Sequence, residues 1–173
     1  AELLLEFGPG VAMETLRQFL SGNVAANWMR PMVEIMGHFR VTEARPALEA
    51  VVRGEDEALS HAAIKALGRI GSPSSDWVLR GCLTSTLPLI RQAAADALGT
   101  CMATKAEQDL IDLLSDPDVA VRQAAGSALL AFGEKGETRL WEVSRRPGKT
   151  NVARDTAAWV LQRASWTRVI RAA

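Results

Sequence analysis

Two histidines, two cysteines and a column of arginines offer the most chemistry in this 173-residue chain. His38 and His61 stand alone, with no second His at ligand spacing, so no metal site and no cofactor are expected. Cys82 and Cys101 lack CxxC spacing, which excludes a disulfide framework and a zinc ribbon. Both align with apolar positions elsewhere in the chain and are read as buried small hydrophobes. No nucleophile stands with an acid–base partner at motif spacing, so no catalytic residue is assigned and the chain is not expected to be an enzyme.

Arg91, Arg122 and Arg154 occupy equivalent places in three similar segments. Such a column either binds anions or forms a structural ladder, bonding turn carboxylates such as Asp116 or Asp118 together with nearby carbonyls. A second column reads Arg30, His61, Gln92, Gln123 and Asp155, and four residues further on stand Glu34, Lys65, Asp96, Ser127 and Trp159. Residues four apart share one helix face. The alternating charges of Glu34, Lys65 and Asp96 fit a solvated ladder of small energetic value. They fit equally a binding surface of mixed charge. Trp159 tips the balance, because folding does not require a tryptophan in an otherwise polar column. The competing reading is that Trp159 is capped by the C-terminal WTRVIRAA segment through Trp166.

The elements that must position these residues come from a repeat. WMRPMVEIMGHF (28–39), LSHAAIKALGRI (59–70), IRQAAADALGTC (90–101) and VRQAAGSALLAF (121–132) start thirty-one residues apart, and ARDTAAWVLQRA (153–164) follows after thirty-two. Apolar positions inside each recur with helical period. One column runs Trp28, Leu59, Ile90, Val121; another runs Met36, Leu67, Leu98, Leu129; a third runs Phe39, Ile70, Cys101, Phe132. A preceding helix carries Leu48, Leu79 and Leu110, with Leu16, Phe19 and Leu20 serving in the first copy and Leu140, Trp141 and Val143 in the last. Trp28 and Trp141 are therefore expected in the core, and Trp77, which aligns with Pro46 and Gln108, on the surface. SDPD (115–118) supplies N-cap and turn chemistry, while Gly71 and Gly133 are placed to end helices. Ala62–Ala63, Ala93–Ala94 and Ala124–Ala125 fall where small side chains would let neighbouring helices approach closely.

Lys and Arg total 20 and Asp and Glu total 20, so no global field favours nucleic acid or an anionic membrane. No apolar run approaches the roughly 20 residues of a membrane span, and membrane insertion is not expected. The cysteine usage fits a reduced, cytoplasmic setting. Arg145, Arg146 and Lys149 form a small basic loop, read as solvated surface or a phosphate contact. The opening AELLLEFG (1–8) reads as the tail of a preceding helix, and the chain as a segment of a longer protein. Leu3, Leu4 and Leu5 make end-to-end self-association an expected possibility.

The [VI]-R-Q-A-A-x-x-A-L pattern with DPD upstream resembles the short HEAT-like repeats of bacterial proteins, over about residues 13–164. Residues 90–101 and 121–132 match best; Pro31 and Trp159 depart from the pattern. The resemblance implies an all-α, right-handed α-solenoid of about five helix-turn-helix repeats, with second helices on the concave face. Repeats are expected at about 13–40, 43–71, 73–102, 104–133 and 136–164, followed by a C-terminal tail at 165–173. The expected function is a non-catalytic scaffold that binds a partner protein, or another domain of its parent chain, through the two columns on that face: His61, Lys65, Gln92, Asp96, Gln123, Ser127, Asp155 and Trp159. HEAT-like relatives also include di-iron hydroxylases, phycobilin lyases and alkylpurine DNA glycosylases. The absent His-Glu pairs, the absent acid–base pair and the neutral charge balance argue against each in turn. A lyase-type regulatory subunit, or a spacer holding a catalytic or membrane domain, is the alternative.

Overall fold

The repeated punctuation becomes helix termini. A computed structural model describes residues 9–22, 24–147 and 151–172, and within them every regular element is helical. Helices α1 (Pro9–Leu20) and α2 (Ala26–His38) form the first pair, α3 (Arg45–Val52) and α4 (Glu57–Ile70) the second, and α5 (Asp76–Cys82) and α6 (Pro88–Thr100) the third. Helices α7 (Glu107–Leu113) and α8 (Val119–Ala131) follow, then α9 (Glu134–Arg145) and α10 (Asn151–Ala172). The Asp56 side chain accepts from the Leu59 N–H at the start of α4, and Asp118 accepts from the Ala120 and Val121 N–H groups at the start of α8. Each cap satisfies donors that the first turn leaves unpaired. Prolines 46 and 88 stand in the first turns of α3 and α6, where no N–H is needed.

Every second helix except the last is followed by a residue of positive φ: Arg40 (51°), Gly71 (69°), Met102 (56°) and Gly133 (71°). These four positions lie thirty-one apart. The left-handed residue turns the chain out of the helix and into the next repeat. Glycine meets this requirement without strain; Arg40 and Met102 meet it at a steric cost.

Packing is organised in one stack. Met36, Leu67, Leu98 and Leu129 of the second helices are fully buried, as are Leu48, Leu79, Leu110 and Leu140 of the first helices. Second helices touch at their backbones. A Cβ built on Gly37 would sit 2.7 Å from Ala66 Cα, and the same distance separates Gly68 from Ala97 and Gly99 from Ala128. The expected alanines at 62–63, 93–94 and 124–125 are buried, but the tightest approach is this glycine–alanine pairing. First helices meet the next repeat through longer groups: Ser75 Oγ donates to Glu49 at 2.9 Å, Arg80 pairs with Asp109 at 2.5 Å, and Lys135 pairs with Glu107 at 2.8 Å. A row closer on one side than the other curves toward the closer side, so the second helices form the concave face. The result is an α-solenoid.

Four expectations need correction. Trp28 is 50% exposed, because its column faces the preceding repeat and no helix pair covers that side among the described residues. Leu20 at the same end is exposed for the same reason. Trp141 is 45% exposed, because α9 begins directly after Gly133 and slips the register by one residue; Leu140 and Val143 fill the core as expected. Residues 165–172 are not a separate tail. Helix α10 continues through Ala172, since no glycine or proline stops it. The expectations for residues 1–8, for Lys149 and for the Trp166 side chain lie outside what is described.

Candidate functional site

The exposed faces of α4, α6, α8 and α10 carry the eight residues singled out by their columns. Lys65, Asp96, Ser127, Asp155 and Trp159 are exposed, while His61, Gln92 and Gln123 are half-buried. The fold sorts them into two groups. Gln92, Asp96, Gln123, Ser127 and Trp159 line one cavity of about 370 Å³ across α6, α8 and α10. Gln123, Asp155 and Trp159 also line a neighbouring one of about 380 Å³ with Val119 and Val152. His61 and Lys65 lie apart, in a cavity of about 360 Å³ between α2 and α4.

Trp159 is the wall shared by the first two cavities, with 40% of its surface exposed. The Arg163 guanidinium lies over its ring at 5.3 Å from the centroid, a cation–π contact that fixes the indole plane. Two residues outside the polar columns create this opening. Leu130 stands where Gly37, Gly68 and Gly99 stand in the earlier repeats, and Val160 takes the place of the partnering alanine. At this junction a Cβ on Gly126 would meet Val160 Cγ2 at 2.4 Å, so the closest approach has moved one turn along α8. Bulkier side chains prop α8 and α10 apart, and both Leu130 and Val160 line the resulting cavity. The signal was present in the thirty-one-residue alignment as a missing glycine.

Electrostatics differ along the face. Desolvation, with Lys65 and Arg30 nearby, pushes the His61 imidazole below its ordinary value despite the opposing pull of Asp96. Desolvation pushes the Asp96 carboxyl up, against the effect of Lys65 and His61. Asp96 is water-exposed yet surrounded by protein, as a side chain on a concave floor must be.

In the arginine column, Arg91 and Arg122 lie elsewhere and hold turns. Arg91 donates from Nε and Nη2 to Asp116, both at 2.8 Å, and from Nη1 to the Ser85 and Thr86 carbonyls. Arg122 donates to the Asp116 and Pro117 carbonyls at 2.7 and 3.0 Å. The position corresponding to Asp116 in the next repeat is Pro147, which leaves Arg122 with carbonyls in place of a carboxylate. Arg154 lies 3.5 Å from Asp155. Asp118 acts as the cap of α8 and donates its N–H to Asp116 Oδ1.

Cys82 and Cys101 are half-buried and free, packed against the core. Among the described residues no cluster of three histidine, cysteine or acidic side chains is placed to hold a metal ion, and no helix is long and apolar enough to cross a membrane. The face presents an aromatic wall at Trp159, apolar rims at Val119 and Val152, and the amide groups of Gln92 and Gln123. A family model described as HEAT repeats matches residues 13–99 and 76–162. No curated protein matches the chain.

Proposed function

Because the chain belongs to the HEAT-repeat family, we propose that it is a non-catalytic interaction module whose concave face binds a partner protein or a neighbouring domain of the same parent chain. The observation that carries this reading is Trp159, a large aromatic standing 40% exposed between two cavities where a helical repeat would place a polar residue. Buried aromatic anchors dominate the energetics of protein interfaces. A stacked array presents its surface already ordered, so binding loses little conformational entropy. In this reading Trp159 anchors the partner, Gln92, Gln123 and Ser127 bond its polar groups, and Asp96, Asp155, Lys65 and His61 set its charge pattern. A cytoplasmic setting accords with two unpaired cysteines.

The test compares proteins retained by the immobilised chain, by Trp159→Ala and by Trp77→Ala. Trp77 is also exposed but lies on a first helix, under Arg53 at 4.9 Å. Loss of specific partners with Trp159→Ala alone supports the concave face. Equal retention by all three removes Trp159 from the interface and favours a spacer role.

A further inference from the structure

The cavity between α2 and α4 has a character that the Trp159 region lacks. It is lined by Arg30, Lys65 and Arg69 with His38 and His61, against the single carboxylate of Glu34. Arg30 is already engaged, its Nε donating to Glu34 at 3.0 Å. Lys65 and Arg69 have no carboxylate within ion-pair distance among the described residues. Two cations thus stand one turn apart on α4, beside a cavity of about 360 Å³, with two imidazoles on its walls. We propose that this cavity is a carboxylate-binding pocket, and that the partner segment docking on the concave face places an acidic side chain in it. The inference rests on the concave-face reading and adds the chemistry of the partner at this end.

Charge along the rest of the face selects an acidic peptide over other anions. Asp96 on α6 lies near enough to Lys65 and His61 to influence both, and Asp155 stands beyond it on α10. A nucleic acid needs positive charge along its whole track, because its phosphates are evenly spaced and every one seeks a counter-ion. Here Asp96 and Asp155 break the track, so the cations at Lys65 and Arg69 are not continuous with Arg122 and Arg163 near Trp159. The complementary partner is negative at one end and uncharged or apolar toward Trp159. The free protein also disfavours a charged His61. A carboxylate seated in the pocket reverses that bias and raises the imidazole value, giving a local readout of occupancy.

The experiment titrates the whole chain with hexaglutamate, followed by amide and imidazole NMR shifts at low and moderate salt. The expected result is saturable perturbation centred on His38, His61, Lys65 and Arg69, weakened by salt. The double variant Lys65→Gln/Arg69→Gln is expected to bind at least tenfold more weakly with unchanged helicity, and Lys65→Arg/Arg69→Lys to retain binding. No saturable perturbation, or equal perturbation in the glutamine variant, overturns the proposal. So does tighter binding of a single-stranded oligonucleotide at the same residues, which would make the site a general polyanion site. Hexaglutamate binding is expected to survive Trp159→Ala. If it fails while Trp159→Ala still abolishes partner capture, the pocket assignment falls and the concave-face reading stands. If it succeeds while Trp159→Ala changes nothing, the Trp159 anchor falls and the carboxylate pocket stands.

Discussion

Arg91 and Asp116 meet through two hydrogen bonds of 2.8 Å that cross from the third helix pair to the turn of the fourth. The guanidinium fork matches the carboxylate, and both side chains are largely shielded from water, at 12% and 8% exposed. Truncation of Arg91 leaves the Asp116 carboxylate shielded from water without its bidentate cation, with only the Asp118 N–H still bonded to it. Arg91→Ala is expected to destabilise the fold by about 3 kcal/mol, read from the denaturant midpoint.

Asp116 also makes stability depend on pH. Burial alone would raise its carboxyl, but the Arg91 hydrogen bonds, the Asp118 N–H and the charges of Arg91 and Arg122 together hold it below the ordinary value. A carboxyl depressed in the folded state stabilises at every pH above its unfolded value of about 3.9, and that stabilisation is lost as pH falls through the folded value. Glu107, depressed chiefly by its hydrogen bond from Lys135, acts in the same direction. The stability difference between the native chain and Asp116→Asn should therefore be constant from pH 5 to 7 and shrink below about pH 4. A difference that grows on acidification would contradict the pairing.

Gly99 and Gly81 should respond oppositely to the same change. A Cβ at Gly99 meets Ala128 Cα at 2.7 Å, whereas nothing lies within 4 Å of one at Gly81. Gly99→Ala forces α6 and α8 apart and is expected to cost about 1–3 kcal/mol. Gly81→Ala, on exposed helix, is expected to stabilise by about 0.5–1 kcal/mol. Thermal unfolding of the two variants side by side distinguishes the seam from a general effect of glycine.

Met102 is held at φ 56° and is 53% exposed, so its side chain returns little packing for the strain. Relief of a left-handed conformation gains about 1–2 kcal/mol, offset by about 0.5–1 kcal/mol from the greater freedom of glycine in the unfolded chain. Met102→Gly is expected to stabilise by about 0.5–1 kcal/mol. For a chain of this size that raises the melting temperature by roughly 2–4 °C per kcal/mol.

Burial pushes both thiols up, at Cys82 through desolvation alone and at Cys101 with the Asp76 charge adding to it. Less thiolate means slower alkylation. Both cysteines are expected to react with iodoacetamide at pH 7.5 much more slowly in the native chain than after denaturation. Rapid native labelling of either would show that its helix pair opens readily.

The solenoid was legible because its information is local and repeated. A leucine every thirty-one residues, an Asp before each of two second helices and a proline in two first turns specify helices and their buried faces without reference to distant residues. Capping residues, arginine ladders and the polar column followed from the same alignment. The column proposed for binding was equally visible, as was the departure at Trp159.

The sequence by itself determined the period, the helices and the identity of the faces, since those depend on side-chain periodicity within one repeat. Only tertiary structure decided what happens between repeats. It exposed Trp28 at an uncovered end and turned Trp141 out of the core, leaving Leu140 and Val143 there. It parted α8 from α10 at Leu130 and Val160, and it separated the cationic cavity at Lys65 from the aromatic wall at Trp159. The physical reason is that a helix's own pattern says which face is buried, whereas the spacing of two helices is set by whichever side chains, glycine or leucine, happen to meet across the gap.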